Sequence, residues 1–338
     1  LNGREDKFSF QLLGSNLTSD GFSAAREPEG ATGYDDDAFK RRNGFLKSGY
    51  QITPTLKAEI FVGIDWFDAD HDAGAFIDGD DSQQQKQSRI GGKITKDYSK
   101  GSLTLIAQHT DLDRTITGSF PTEYNGSNWF SELVNRHEIN SSVTILSGVS
   151  FQNLSYDEKE AVSKDTTSFT IIDPYTSVLL TLPSGLNLHA GVRLNTHSDY
   201  GSKVLYNINP AWLIHITDAI AVKPFASAST SYITPTLFQL HTPWGGNENL
   251  KPEESFNYEY GLSGYLTNKA SFMVVNFFRE ERDVIGYTMQ YENISEKRRV
   301  KGVTLDLKYK PVDMFTISGD FTWVTSDDQS GFYRIPAR

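Results

Sequence analysis

The sequence predicts an all-β chain that forms an antiparallel wall of about fifteen strands. Apolar and polar residues alternate over segments of ten or more residues, which is the two-residue period of a strand. Phe, Tyr and Trp make up 12% of the 338 residues, and these residue types favour strands. No segment shows the 3.6-residue period of an amphipathic helix, so we expect no substantial helix.

The clearest alternation runs from Ser255 to Tyr265. One face of this segment is apolar or aromatic and the other is polar: Phe256, Tyr258, Tyr260 and Leu262 against Ser255, Asn257, Glu259 and Gly261. The same split recurs at 186–194, 204–216, 303–309 and 315–323. Segments of this length exceed the usual soluble strand and match what a tilted strand needs to cross a bilayer.

The predicted connections alternate in length. Short ones are rich in residues that favour tight turns: Thr53-Pro54-Thr55, Ser99-Lys100-Gly101, Asn140-Ser141-Ser142 and Pro183-Ser184-Gly185 among them. Long polar ones are expected at 20–42, 68–85, 117–127, 157–167, 195–202, 234–254 and 280–297. Turns at one end and long loops at the other are typical of outer-membrane barrels. The sequence therefore predicts a transmembrane antiparallel β-barrel, with a soluble sandwich or propeller as the alternative.

Composition excludes several other classes of protein. No apolar run approaches the ~18 residues of a membrane-spanning helix. The chain has no Cys, so it forms neither a disulfide framework nor a thiolate metal site. The net charge of −11 argues against nucleic acid as a partner. No nucleophile elbow, zinc-protease histidine pair or phosphate-binding glycine loop is present, so we expect no enzyme.

Three stretches resemble the TonB-dependent outer-membrane receptors. Residues 229–240 read STSYITPTLFQL and residues 246–255 read GNENLKPEES, similar to a strand, loop and strand run of that family. Residues 291–303 resemble a later strand opening, and 321–323 with 334–338 resemble its tyrosine-rich strand and arginine–proline segment. The resemblance implies an active transporter in the bacterial outer membrane, in contact with membrane lipid and energised by the TonB protein.

Within that family, the chain is most similar to the vitamin B12 (cobalamin) receptors of the Bacteroidetes type. Gly44-Phe45-Leu46 and Val62-Gly63-Ile64-Asp65 match two strand segments of these receptors. The resemblance implies uptake of cobalamin or a related corrinoid, and it allows a surface-exposed lipoprotein as a partner. A siderophore or haem receptor of the same family, and a plug-less binding or adhesion barrel, are the alternatives.

Family members carry an N-terminal plug and coupling box before a barrel of about 22 strands. The resemblance therefore implies that residues 1–338 are part of one outer-membrane β-barrel domain. We expect the plug and the last strands to be missing from this chain, and the contact with TonB to involve the missing N-terminal segment.

The acidic connections suggest calcium, which prefers six to eight oxygen ligands. The resemblance to cobalamin receptors implies a calcium site at Asp65 and Asp80. Asp36 is expected to replace acids that the family has where this chain has Arg41 and Arg42. The alternative is a solvated acidic loop, and no covalently bound cofactor is expected.

Aromatic and amide side chains near the predicted loop bases are candidates for binding a large amphipathic ligand. These residues are Trp66, Tyr124, Asn128, Trp129 and Trp244. Aromatic rings supply stacking area and amides supply hydrogen bonds. For each of them, a place in the aromatic belt at the membrane interface is the alternative.

Overall fold

The computed structural model describes residues 1–27, 29, 33–119, 121–159 and 167–327, which form nineteen strands and one helix. The strands are β1 (Asn2–Glu5), β2 (Phe8–Ser19), β3 (Phe39–Thr53), β4 (Leu56–His71), β5 (Asp81–Tyr98), β6 (Gly101–Thr117), β7 (Thr122–Asn140), β8 (Val143–Glu158), β9 (Thr167–Thr181), β10 (Leu186–His197), β11 (Gly201–Trp212), β12 (Ile214–Thr217), β13 (Ile220–Ile233), β14 (Glu253–Leu266), β15 (Ala270–Arg282), β16 (Ile285–Tyr287), β17 (Tyr291–Asn293), β18 (Arg298–Val312) and β19 (Phe315–Ser326). Helix α1 spans Leu237–His241. Fifteen of these strands are 12 to 19 residues long, as the alternation predicts, and the other four have three or four residues.

The long strands pair antiparallel with the long strands nearest to them in the chain. Continuous series run through β2, β3, β4, β5 and β6, and through β13, β14, β15, β18 and β19. Tight turns close the hairpins at 54–55, 99–100 and 141–142, where the sequence predicts them. No helix within the described ranges is long and apolar enough to cross a membrane.

Two connections predicted to be long are short. Only residues 118–121 separate β6 from β7, and only 198–200 separate β10 from β11. In the second of these segments, polar residues that suggested a loop pair with each other across the two strands. Thr196 Oγ1 and Ser202 Oγ lie 3.2 Å apart across β10 and β11, which is a stabilising cross-strand pair.

The described residues divide into two compact units, and β7, β8 and β9 contribute to both. Unit 1 comprises Leu1–Val134, Val149–Ile172 and His241–Trp244, and unit 2 comprises Asn135–Gly148, Asp173–Leu240 and Gly245–Arg338, of which residues 328–338 lie outside the described ranges. The arginine–proline segment at 334–338 is among those undescribed residues.

In unit 1 the alternation gives the sheet an apolar face and a polar face. On the apolar face Leu12, Leu46, Val62 and Ile90 stand directly opposite one another in a row across β2, β3, β4 and β5. On the polar face Lys47 and Lys57 each place Nζ 2.9 Å from Glu59, which is only 8% exposed.

Unit 2 has the same two-sided construction. Leu262, Val274, Leu305 and Phe321 form a row across β14, β15, β18 and β19. Ile208 of β11 pairs with Ala228 of β13, which stands opposite Tyr258 on this face. Because the large side chains on this face are apolar and exposed, the face requires an apolar surrounding.

Helix α1 is a structure that the sequence pattern does not predict. It begins with a capping box, in which Thr236 Oγ1 accepts a hydrogen bond from Gln239 N at 3.2 Å and Gln239 Oε1 accepts one from Thr236 N at 2.9 Å. This arrangement satisfies the first free amides of the helix. The helix then places Leu240 in a buried apolar cluster with Leu250 and Ile285.

Candidate functional site

Three aspartates come together at the end of unit 1 where the long connections lie. We call this end of a unit its long-link end. Carboxylate oxygens of Asp35, Asp72 and Asp78 lie within 4.8 Å of one another. Asp72 Oδ2 accepts hydrogen bonds from Ser23 Oγ at 3.0 Å and from Ala25 N at 2.5 Å. Asp72, directly after β4, therefore ties the connection 20–38 to the connection 72–80.

The electrostatics of this aspartate cluster are uneven. Partial burial opposes ionisation of Asp72, but the hydrogen bonds from Ala25, Ser23 and Gly79 outweigh it and lower its pKa. Partial burial and the neighbouring Asp35 carboxyl raise the pKa of Asp78. Like charges this close favour protonation of one member or binding of a cation.

The donor set of the aspartate cluster fits a hard divalent cation. All three side chains supply carboxylate oxygens, the ligands that calcium prefers. Asp78 Oδ1 is shielded from solvent and has no hydrogen-bond partner among the described residues. Asp35, Asp72 and Asp78 are therefore the residues that would hold such an ion.

The three aspartates predicted to bind calcium lie elsewhere. Asp65 is inside β4, and its Oδ2 accepts a hydrogen bond from Arg41 Nε at 3.0 Å. Asp36 is in the connection 20–38, and Asp80 directly precedes β5. None of the three belongs to the aspartate cluster, and their role in binding calcium stays a prediction.

Tyr124 and Asn128 belong to a second group near the same end of unit 1. The Tyr124 ring lies 6.3 Å from the Tyr156 ring, and Asn128 Oδ1 accepts a hydrogen bond from Gln152 Nε2 at 3.2 Å. We call these four residues the tyrosine–amide cluster. The Tyr156 hydroxyl donates to the carboxylate of Glu158, which is 3% exposed. The two-residue period of a strand could have identified Gln152 and Tyr156 from the sequence, since residues four apart in β8 share one face of that strand.

Trp66 and Trp129 point away from the polar faces. Trp66 stands opposite Arg42 and Lys86, on the apolar face of unit 1, and is 45% exposed. The Trp129 ring lies 4.3 Å from the ring of His109, which stands opposite Ile90 on that same face. These positions favour a role in the interface belt, and ligand binding by either residue stays a prediction.

Trp244 lies in the connection that follows α1 and is exposed. Its backbone N donates to Thr242 Oγ1 at 3.4 Å. The place of Trp244 in a ligand site also stays a prediction.

The motif residues at 246–255 organise a connection in unit 2. Asn247 Nδ2 donates to Tyr291 O at 2.8 Å, and Ile285 N donates to Glu253 Oε1 at 2.8 Å. Asn293 Oδ1 accepts from Lys251 N at 2.8 Å, while its Nδ2 donates to Lys251 O at 2.9 Å and to Asp283 O at 2.7 Å. These bonds attach the connection to the β16–β17 hairpin.

Comparison with known sequences identifies the family. The family model described as TonB dependent receptor-like, beta-barrel matches residues 2–337. The chain is 28% identical over 258 residues to the vitamin B12 transporter BtuB of Photobacterium profundum, covering 73% of this chain and 39% of that protein. It is 25% identical over 185 residues to BtuB of Vibrio cholerae serotype O1, covering 53% and 28%. The chain thus spans less than half the length of these relatives.

Solved structures with a similar fold are also receptors and transporters. The siderophore receptor PirA from Pseudomonas aeruginosa matches with a TM-score of 0.79 and 17% identity, covering 96% of this chain and 61% of that chain. The copper transporter OprC matches with a TM-score of 0.76 and 13% identity, covering 97% and 58%. At such identities the likeness establishes the fold alone, and it confirms the predicted antiparallel β-barrel fold.

These matches agree with the alternation, the strand lengths and the two-faced sheets described above. No plug is evident among the described residues. The relatives are receptors and transporters rather than enzymes, as the sequence predicts. The chain belongs to the TonB-dependent receptor-like β-barrel family, whose members are outer-membrane proteins of Gram-negative bacteria.

Proposed function

We propose that residues 1–338 belong to the barrel of a TonB-dependent receptor that takes up cobalamin or a related corrinoid. The observation that carries the proposal is the 28% identity over 258 residues to a vitamin B12 transporter. The fold likeness to a siderophore receptor at 17% identity does not distinguish one ligand from another. The resemblance to the Bacteroidetes branch stays a prediction, because the relatives named above come from Photobacterium and Vibrio.

The tyrosine–amide cluster supports a ligand of this kind. A corrinoid combines a broad apolar ring face with amide side chains around its edge. Tyr124 and Tyr156 offer ring surface, and Asn128 and Gln152 offer amide hydrogen bonds within one short stretch of β7 and β8. A few placed polar groups among aromatic surface are typical of sites for large small-molecule ligands.

The partners in this proposal follow from the family. Uptake against a concentration gradient requires energy, which we assign to TonB acting through a plug segment outside residues 1–338. A surface-exposed lipoprotein remains a further predicted partner, with no described surface assigned to it.

Calcium is part of the same proposal. When bound, the ion would offset most of the negative charge of Asp35, Asp72 and Asp78 and strengthen the tie between the connections 20–38 and 72–80. Asp72 already holds Ser23 and Ala25 in place, so the chain itself presents part of the site. A calcium ion that binds only the folded state stabilises the ordered connections by mass action.

The test is a binding titration of the complete receptor with cyanocobalamin by isothermal calorimetry. We expect sub-micromolar affinity, and about a tenfold loss for Tyr124→Ala because a stacking surface is removed. Tyr260→Ala, on the exposed apolar face of unit 2, is the matched control and should bind like the unmodified receptor. Tight binding of a ferric siderophore without cobalamin would favour the second receptor class, and binding of neither would favour an adhesion barrel.

A further inference from the structure

Three cations lie on the apolar face of unit 1 at its long-link end. Arg42, Trp66 and Lys86 stand directly opposite one another across β3, β4 and β5, and Lys40 stands in the next row towards the connections. All four side chains line an open cavity of about 650 Å³. The face therefore changes from apolar to basic along the strands.

The position of this change agrees with the edge of a hydrocarbon layer. From Leu56, at the turn end of β4, to Trp66 the strand advances ten residues. At about 3.3 Å per residue this is roughly 33 Å, or about 25 Å along the membrane normal for a strand tilted by about 40°. Lipid-facing bands of outer-membrane barrels are about 25 Å tall, so Trp66 marks the boundary and Lys40 lies beyond it.

The two lysines of this cavity are available to an external anion. Among the described residues, neither Lys40 nor Lys86 has a carboxylate oxygen within 4.0 Å. Asp68 and Asp113 also line the cavity, opposite Lys40 and Lys86, so cations exceed carboxylates by one. This local excess is opposite in sign to the net charge of −11 of the chain.

Unit 2 gives an internal comparison. On its apolar face, Arg282 and Arg299 also lie beyond an aromatic pair at the long-link end. There Glu280 accepts hydrogen bonds from Arg282 at 2.7 Å and from Arg299 at 3.1 Å. Those two arginines are ion-paired with a carboxylate of the chain, whereas Lys40 and Lys86 are not.

We propose that the cavity of Lys40, Arg42, Trp66 and Lys86 binds the phosphate-bearing head group of an outer-leaflet lipid. Ammonium and guanidinium groups are good donors to phosphate oxygens. The acyl chains of the same lipid would continue over Val62 and Ile90, which share this face. A free anion would gain nothing from that apolar continuation, and for this reason we assign the site to a lipid. The proposal rests on the family assignment and not on the transported ligand.

The experiment measures binding of bisphosphorylated lipid A to the complete, delipidated receptor in detergent by microscale thermophoresis. We expect Lys86→Gln to weaken binding about tenfold through loss of a charge-assisted hydrogen bond. Lys93→Gln is the matched control, since Lys93 lies on the same strand with its side chain on the polar face, and it should change the affinity less than twofold. Both lysines are on strand surfaces, and circular dichroism verifies that the variants fold.

Three results would overturn the proposal. Equal losses for Lys86→Gln and Lys93→Gln would show that attraction to the whole protein, rather than the cavity, determines binding. Displacement of lipid A by millimolar inorganic phosphate would identify a free-anion site. Retained affinity for a dephosphorylated lipid A would likewise exclude head-group recognition by these cations.

Discussion

Asn293 provides a direct test of how the connection after α1 is held in unit 2. Its side chain makes three hydrogen bonds, two with the backbone of Lys251 and one with the carbonyl of Asp283. In Asn293→Ala all three are lost, while the paired strands β14 and β15 keep their own bonds. We therefore expect a local opening of the connection and not unfolding of the sheet.

The magnitude follows from the number and exposure of these bonds. A net hydrogen bond contributes about 0.5–1.5 kcal/mol. The two bonds with Lys251 are exposed and the bond with Asp283 is partly buried. Water therefore forms hydrogen bonds with most of the backbone groups that lose their Asn293 partner. We expect the free energy of opening the connection to fall by about 2 kcal/mol in total, which corresponds to about a 30-fold larger equilibrium constant for opening.

Hydrogen exchange with mass spectrometry measures this opening. Amides of 245–252 and 283–294 should exchange about 30-fold faster in Asn293→Ala, with β14 and β15 unchanged. Asn249→Ala is the control, because that side chain makes no hydrogen bond within the described ranges and only its backbone N is used. Unchanged exchange in both segments, or faster exchange over the whole sheet, would refute the reasoning.

Two further predictions concern the membrane face and the metal. Ile208→Arg places a charge on the apolar face in the middle of β11 and should lower the free energy of unfolding by about 2–4 kcal/mol, whereas Asn207→Arg on the opposite face should cost little. Urea unfolding in lipid checks this, and equal losses would contradict the assignment of faces. Calcium should raise cyanocobalamin affinity, and Asp78→Asn should remove the increase while Asp80→Asn retains it. The reverse pattern in a titration with chelator would favour the ligand set implied by the family resemblance.

Sequence periodicity was sufficient for the wall and insufficient for its connections. The alternation from Ser255 to Tyr265 lies within β14, Glu253–Leu266, because side-chain direction in a strand depends only on local geometry. The same rule places Trp66 with Ile60 and Val62 on the apolar face, a signal that predicts a belt position. The aspartate cluster required two connections to meet through Asp72, and no local pattern encodes that meeting.

Helix α1 was missed for a different reason. It spans only Leu237–His241, which is too short to display a helical period. The sequence Thr236-Leu237-Phe238-Gln239 nevertheless contains the two residues of the capping box at the required spacing. A search for helix-capping motifs, rather than for helical periodicity, would have found this helix.

Long strands pair with strands that are close to them in the chain. The paired strands and their connections can therefore change independently during evolution. Hairpins such as β3–β4 and β5–β6 are closed by two-residue turns and fixed by long registers. The cost of closing a flexible loop grows slowly, by about 0.6 kcal/mol for each doubling of its length. A connection such as 72–80 can therefore be lengthened, shortened or exchanged between receptors at small energetic cost. Ligand preference can then diversify quickly on a wall that scarcely changes.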